Sequence, residues 1–134
     1  MSAWGITNFE NDVALQLVEQ LTRHEKIFSV DAFFESFSNV FDPEQTTLDE
    51  CLEAITMVEI FAAIQGSPDP ELPLELKDWL ELSGFQIASE QAAQAIKIVE
   101  MLMKESEVKE MYVDTPYYKA WKKVQDDLIK RLKS

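Results

Sequence analysis

No lysine, arginine or histidine occurs between Lys26 and Lys77, a stretch of fifty residues that carries eleven carboxylates. The basic residues of 1–76 are Arg23 and Lys26 against fifteen acidic ones, a balance of −13, whereas 77–134 hold ten of each sign. The whole formal net charge of −13 therefore belongs to the first part of the chain. A field of that sign attracts cations and basic surfaces and repels nucleic acid and anionic lipid, so neither is an expected partner. The single cysteine, Cys51, excludes an internal disulfide and suits a reducing compartment. Three glycines and five prolines leave few turns and no phosphate-cradling loop. No run approaches eighteen apolar residues, so no membrane span is expected. The amino terminus lacks signal-peptide grammar, and the expectation is a cytoplasmic protein.

What is present is helical spacing in a globular composition, 46% apolar and 28% charged over 134 residues, which is one domain's worth of chain. After Asn8 or Asn11, either able to cap, Ala14, Leu17, Val18 and Leu21 recur on one face. A second segment opens near Ser29 with Val30, Phe33, Phe34, Phe37 and Val40 or Phe41, and Asp42-Pro43 ends it. Thr47-Leu48-Asp49-Glu50 reads as a capping box opening a third helix. That helix is apolar nearly all round from Ala54 to Ile64, apart from Thr56 and Glu59, which marks it as central. Gly66-Ser67-Pro68 stops it, and 69–73 form a rigid connector.

A short fourth helix carries Leu76, Trp79 and Leu80 and ends at Ser83-Gly84. Ser89 is the expected cap of a fifth with Ala92, Ala95, Ile96, Val99 and Met103. Ser106 to Tyr112 makes a short helical piece. Thr115-Pro116 is the expected start of the last helix, with Tyr118, Trp121, Val124, Leu128 and Leu132 as its stripe. No alternating segment of period two extends beyond a few residues. The expectation is an all-α, single-domain bundle of about six helices spanning 1–134.

The opening residues carry a resemblance. Ala3-Trp4-Gly5 and Phe9-Glu10-Asn11-Asp12 stand at the separation seen in an uncharacterised bacterial family, the domain of unknown function numbered forty-two fifty-nine. Its members typically begin Met-Gly-Ala-Trp-Gly and continue to Phe-Asp/Glu-Asn-Asp and an amphipathic helix. Ser2 and Ile6-Thr7 replace its usual small residues. Weaker echoes are Leu72-Pro73 before Leu76 and Trp79, and Ser106-Glu107-Val108 before Glu110-Met111-Tyr112. The resemblance implies a bacterial, cytosolic, helical domain and no catalytic residue, cofactor or substrate. Physically, Trp4 is expected to cover one end of the bundle, with Gly5 allowing a tight approach or positive φ and Phe9 stapling the helix entry. Asn11 and Asp12 are good first-turn residues on this reading, and the alternative makes Asn8, Glu10, Asn11 and Asp12 a polar site.

Catalytic chemistry has little to work with. Cys51 is read as a buried, inert thiol, and His24 as a solvated histidine near a helix end. Asp42, Glu44, Thr46 and Glu53 match positions one, three, five and twelve of a calcium hand, but Thr47 stands where the sharp turn needs glycine. One histidine and one cysteine build no Cys/His zinc site, and no Glu-x-x-His pairs are present, so no cofactor or metal is expected. Lys119, Lys122, Lys123, Lys130, Arg131 and Lys133 form a basic cluster in the last helix. It is read as a solvated face, or as a surface that meets the acidic half of another copy.

The acidic stretch is the remaining feature. Asp31/Glu35 and Asp49/Glu53 are like-charged i, i+4 pairs and Glu50/Glu53 an i, i+3 pair, each costing a helix a few tenths of a kcal/mol. With no basic neighbour in sequence, they are expected to be neutralised from outside the chain. The leading expectation is a non-enzymatic acidic protein that docks a basic protein, in its concrete form an immunity or antitoxin-type inhibitor of a basic nuclease toxin. Asp31, Glu35, Asp42, Glu44, Asp49, Glu50 and Glu53 are its candidate contacts. The alternatives are a self-associating helical module using Trp4, Trp79, Tyr117 or Tyr118, giving a homo-oligomer, and a carboxylate–metal enzyme.

Overall fold

A computed structural model describes residues 5–25, 27–40, 42 and 45–133, without the side chains of 36–40. The expected roles of Trp4, Phe37, Val40, Phe41 and Glu44 fall outside that description. The described chain is all-α, a helical bundle with one hydrophobic core. Its helices are α1 (Asp12–Thr22), α2 (Val30–Val40), α3 (Leu48–Ile64), α4 (Leu74–Ser83), α5 (Ser89–Lys104), α6 (Glu107–Val113) and α7 (Tyr118–Lys133).

Helix α3 is the axle. Every residue from Cys51 to Ala62 except Glu53 is buried, and α1, α5, α6 and α7 all pack against it. The expected capping box opens it: Thr47 Oγ1 accepts from the Glu50 backbone N–H at 3.2 Å while Glu50 Oε1 accepts from the Thr47 N–H at 3.2 Å. Such a cap satisfies two otherwise orphaned donors. Phe61 anchors the other end. Phe33 and Phe34 of α2 lie 5.0 Å from it, centroid to centroid, and Phe28 6.1 Å. Phe28 in turn meets Trp79 and Phe85, so the aromatic side chains knit α2, α3 and α4 together.

One start signal settles an expected alternative and another differs from expectation. Asn11 caps α1, its Oδ1 accepting from the Ala14 N–H at 2.7 Å, and Asn8 is left for another role. Ala88 rather than Ser89 occupies the cap of α5, where the Gln91 side chain accepts the Ala88 N–H at 2.9 Å. The buried stripe of α5 is Ala92, Ala95, Ile98, Val99 and Leu102, with Ile96 and Met103 half-buried. Both stripes satisfy helical spacing, and the packing of α5 on α7 selects the one rotated toward Ile98 and Leu102. Thr115 turns the chain before α7, which starts at Tyr118, two residues past the proline. Gly84 ends α4 with φ of 68°, a left-handed position that favours glycine.

Candidate functional site

The first site the fold builds is a buried polar network that joins distant parts of the chain. Glu59, within the largely apolar stretch of α3 from Ala54 to Ile64, is fully buried. Its two carboxylate oxygens accept from Arg131 Nη1 at 2.9 Å and Nη2 at 3.1 Å, a bidentate pair across 72 positions of sequence. Asn8 Nδ2 adds a third donor at 2.7 Å. Asn8 and Gln125 exchange side-chain amide hydrogen bonds in both directions, at 3.1 and 2.8 Å. Arg131 also donates from Nε to Asp127 at 2.8 Å and from Nη1 to the Ser67 carbonyl at 3.3 Å, and lies 3.6 Å from Asp69.

This corrects the sequence reading of Arg131. Arg131, assigned to a solvated basic face, has a side chain only 13% exposed. Glu59, read as an interruption of the apolar stretch of the third helix, and Asp69, read as part of the connector, meet Arg131 within the chain. Burial pushes the Glu59 carboxyl up, against the pull of the Arg131 guanidinium and the Asn8 amide. Both of its oxygens accept N–H donors, which is the geometry of an ionised carboxylate. Four of the five guanidinium N–H groups donate to Glu59, Asp127 and Ser67, so the network clamps α3, the connector and α7 together.

The candidate docking residues divide by position. Asp49 and Glu50 are exposed at the start of α3, and Glu53, one turn on, is half-buried beside Gln16 and Gln20 of α1. Glu107 joins them from α6, its Oε2 accepting the Leu48 N–H at 2.6 Å. Asp31 lies elsewhere, exposed at the start of α2, where it accepts from Gln91 of α5 at 2.7 Å. Its neighbours Phe33 and Phe34 pack on Phe61, eleven residues beyond Glu50 or about 16 Å along α3. Glu35 and Asp42 are exposed, and Glu44 lies outside the described residues. The structure therefore gathers Asp49, Glu50 and Glu53 with Glu107, and sets Asp31 apart from them.

A groove of about 380 Å³ runs between the end of α3, the connector and α4, lined by Ile64, Leu72, Leu80 and Phe85 with Lys77 and Glu81 at its side. Sequence reading missed it. Of the aromatics expected to drive self-association, Trp79 packs between Phe28 and Phe85 and Tyr118 stacks on Trp121, while Tyr117 is exposed. The large apolar side chains that α4 exposes are instead Leu74 and Leu82.

A model for a domain of unknown function, DUF4259, matches residues 2–124. The chain belongs to this family. No curated protein and no solved structure matches it. Within this DUF4259 chain, Asn8, Glu59 and Asp69 fall inside the matched residues, and Gln125 and Arg131 beyond them. The specific opening of the family is used structurally where it is described. Phe9 is buried, Asn11 caps α1, and a β-carbon at Gly5 would run into the Glu10 carboxylate. Gly5 is not at positive φ, and the contact its β-carbon would make is with the movable end of a side chain. The Gly5 carbonyl accepts from Tyr112 Oη at 2.8 Å, tying the amino terminus to α6.

Other chemistry-bearing residues of this DUF4259 chain are quiet. Cys51 is buried, and burial pushes its thiol up. His24 is exposed just past α1. Among the described residues no group of three or more His, Cys, Asp or Glu side chains is placed to hold a metal ion. Among the same residues no helix is long and apolar enough to cross a membrane.

Proposed function

We propose that this protein is a non-enzymatic binding protein of the cytoplasm that docks a basic protein through exposed carboxylates. In its concrete form it is an immunity or antitoxin-type inhibitor, its carboxylates occupying the place of nucleic-acid phosphates on a basic nuclease toxin. One observation carries the reading. Of the carboxylates between Lys26 and Lys77, Glu59 and Asp69 turn inward to Arg131, whereas Asp31, Glu35, Asp42, Asp49, Glu50, Glu71 and Glu75 face solvent. The chain satisfies internally the charges it must bury and leaves the others on its surface. A surface of that sign steers a basic partner, with association reaching ~10⁸ M⁻¹s⁻¹ or more at low salt.

Asp49, Glu50 and Glu53 at the start of α3, with Glu107 of α6 beside them, are the centre of the proposed face. The test replaces Asp49→Lys, Glu50→Gln and Glu53→Lys together. Glutamine at 50 keeps the acceptor of the capping box, so helicity is retained. Partner capture from the native host, read at low and high salt, is expected to disappear in the triple variant and to weaken with salt in the wild type. Undiminished capture by the variant refutes the assignment. A nuclease domain encoded immediately upstream would favour the inhibitor form over other basic partners.

A further inference from the structure

We infer that the groove beside α4 is an anchor site for an apolar side chain on a basic, amphipathic segment of the partner. The inference rests on the reading of a basic partner and gives it a second, apolar point of attachment. Three observations lead there. The groove of about 380 Å³ is walled by Ile64, Leu72, Leu80 and Phe85 and lies open beside Lys77 and Glu81. Its volume falls at the lower end of the range for ligand-binding pockets. On α4, Leu74 is 73% and Leu82 89% exposed, an unusual outlay of apolar surface on a chain so highly charged. Leu74, Lys77 and Glu81 stand at i, i+3 and i+7, so Leu74 flanks the groove, and Leu82, at i+8, extends the exposed apolar surface on the side of Leu74 away from Lys77. Apolar patches rimmed by charge mark interaction surfaces.

Charge selects the occupant. The exposed charges from Glu71 through α4 are Glu71, Glu75, Asp78 and Glu81 against Lys77 alone, a local balance of −3. A second copy docking by the same face would bring four carboxylates onto four. A helix or extended segment with lysine or arginine around a leucine-like anchor meets both parts of the surface, as in helix-in-groove recognition. The wall it meets is already fixed. Arg131 holds the Ser67 carbonyl and neighbours Asp69, whose side chain accepts the Glu71 N–H at 2.6 Å. The connector between Gly66 and Leu72 is thus set before a partner arrives, which lowers the ordering cost of binding.

The test uses the full chain and a fluorescent amphipathic peptide of leucine and lysine, with a lysine–alanine peptide of equal charge as its comparison. Affinity is read by anisotropy at 0.15 M salt, where only local charge is felt. The leucine peptide is expected to bind at least tenfold more tightly than the alanine one. Leu74→Ser/Leu82→Ser and Asp78→Lys/Glu81→Lys, all at exposed positions, should each weaken it tenfold or more. Glu90→Lys/Glu100→Lys on α5, with the same change of net charge, should stay within about twofold of the wild type. Equal binding of both peptides, no binding by the wild type, or α4 variants indistinguishable from the α5 control overturns the groove assignment. Loss of binding in Asp49→Lys/Glu53→Lys with the α4 variants unaffected overturns it too, while leaving the acidic docking face at α3 standing. A wild-type dimer in sedimentation that Leu74→Ser/Leu82→Ser abolishes would identify a second copy as the occupant and overturn it likewise.

Discussion

Replacing Arg131 by methionine is expected to be among the most damaging single changes outside the apolar core. The methionine stem fills much of the space but leaves Glu59, fully buried, without either of its guanidinium bonds. Asn8 Nδ2 alone remains to satisfy a carboxylate in a low-dielectric interior. Removing one partner of a buried pair costs about 3–5 kcal/mol. Against a total stability of roughly 5–15 kcal/mol, that is a large fraction. With a urea m-value of about 2 kcal/mol per molar, the midpoint should fall by about 2 M.

Urea unfolding followed by tryptophan fluorescence reads the change, because Trp121 is buried on the same helix. The second arm is Glu59→Met/Arg131→Met. Removing both charges leaves the reciprocal Asn8–Gln125 amide pair intact, and replacing a buried ion pair by apolar residues is often neutral or better. The double variant should therefore recover part of the loss, the remainder being Asp69, buried and still without the guanidinium. A single-variant cost under about 1 kcal/mol would give the pair no more weight than a surface salt bridge and refute the clamp. Additive losses in the double variant would refute the coupling.

Cys51 should resist thiol reagents in the folded protein, and rapid modification at pH 8 without denaturant would contradict its placement. Burial raises its thiol above the ordinary value of 9.0, so its contribution to stability is complete below that pH and is lost as pH climbs from there through the raised folded value. The buried Tyr112 hydroxyl, raised from 10.0, acts in the same direction, and Cys51→Ala should flatten the alkaline decline measured by denaturant titration. Gly84→Ala should cost about 1 kcal/mol by thermal unfolding, from backbone strain alone, since nothing lies within 4 Å of the added carbon. Gly84→Asn should cost less, because asparagine tolerates the left-handed region better than alanine does.

Most of the helices could be read from the sequence because their signals are local. Thr47 and Glu50 stand three apart and cap α3 as their spacing requires. The all-round apolar character of α3 foretold its burial, since such a helix has no face suited to water. Legibility failed where two local solutions were equally good and a tertiary neighbour chose between them. On α5 the apolar positions span more than one possible stripe, and α7 fixed the rotation. Asn8 and Asn11 could each cap α1, and Glu59 with Gln125 claimed Asn8 for the interior.

The candidate docking residues could be named from the sequence, whereas the buried clamp could not. Glu59 carried a local signal, the one carboxylate in the stretch of α3 from Ala54 to Ile64, and Gln125 carried another, standing between Trp121 and Leu128 on the buried stripe of α7. Each is improbable alone, and together they require a buried polar partner, because an uncompensated buried charge is too costly to keep. The sequence offered Arg131 only as one of six basic residues near a helix end, where any of them gains from the helix dipole. What distinguishes it is its register, which turns it toward Glu59 while Lys130 and Lys133 stay outside. Net charge survives any folding of the chain, whereas its location depends on which carboxylates find a guanidinium at long range. That is why residues spread evenly along the acidic stretch resolve into a buried pair clamped by Arg131, a cluster at the start of α3 and a charged rim along α4.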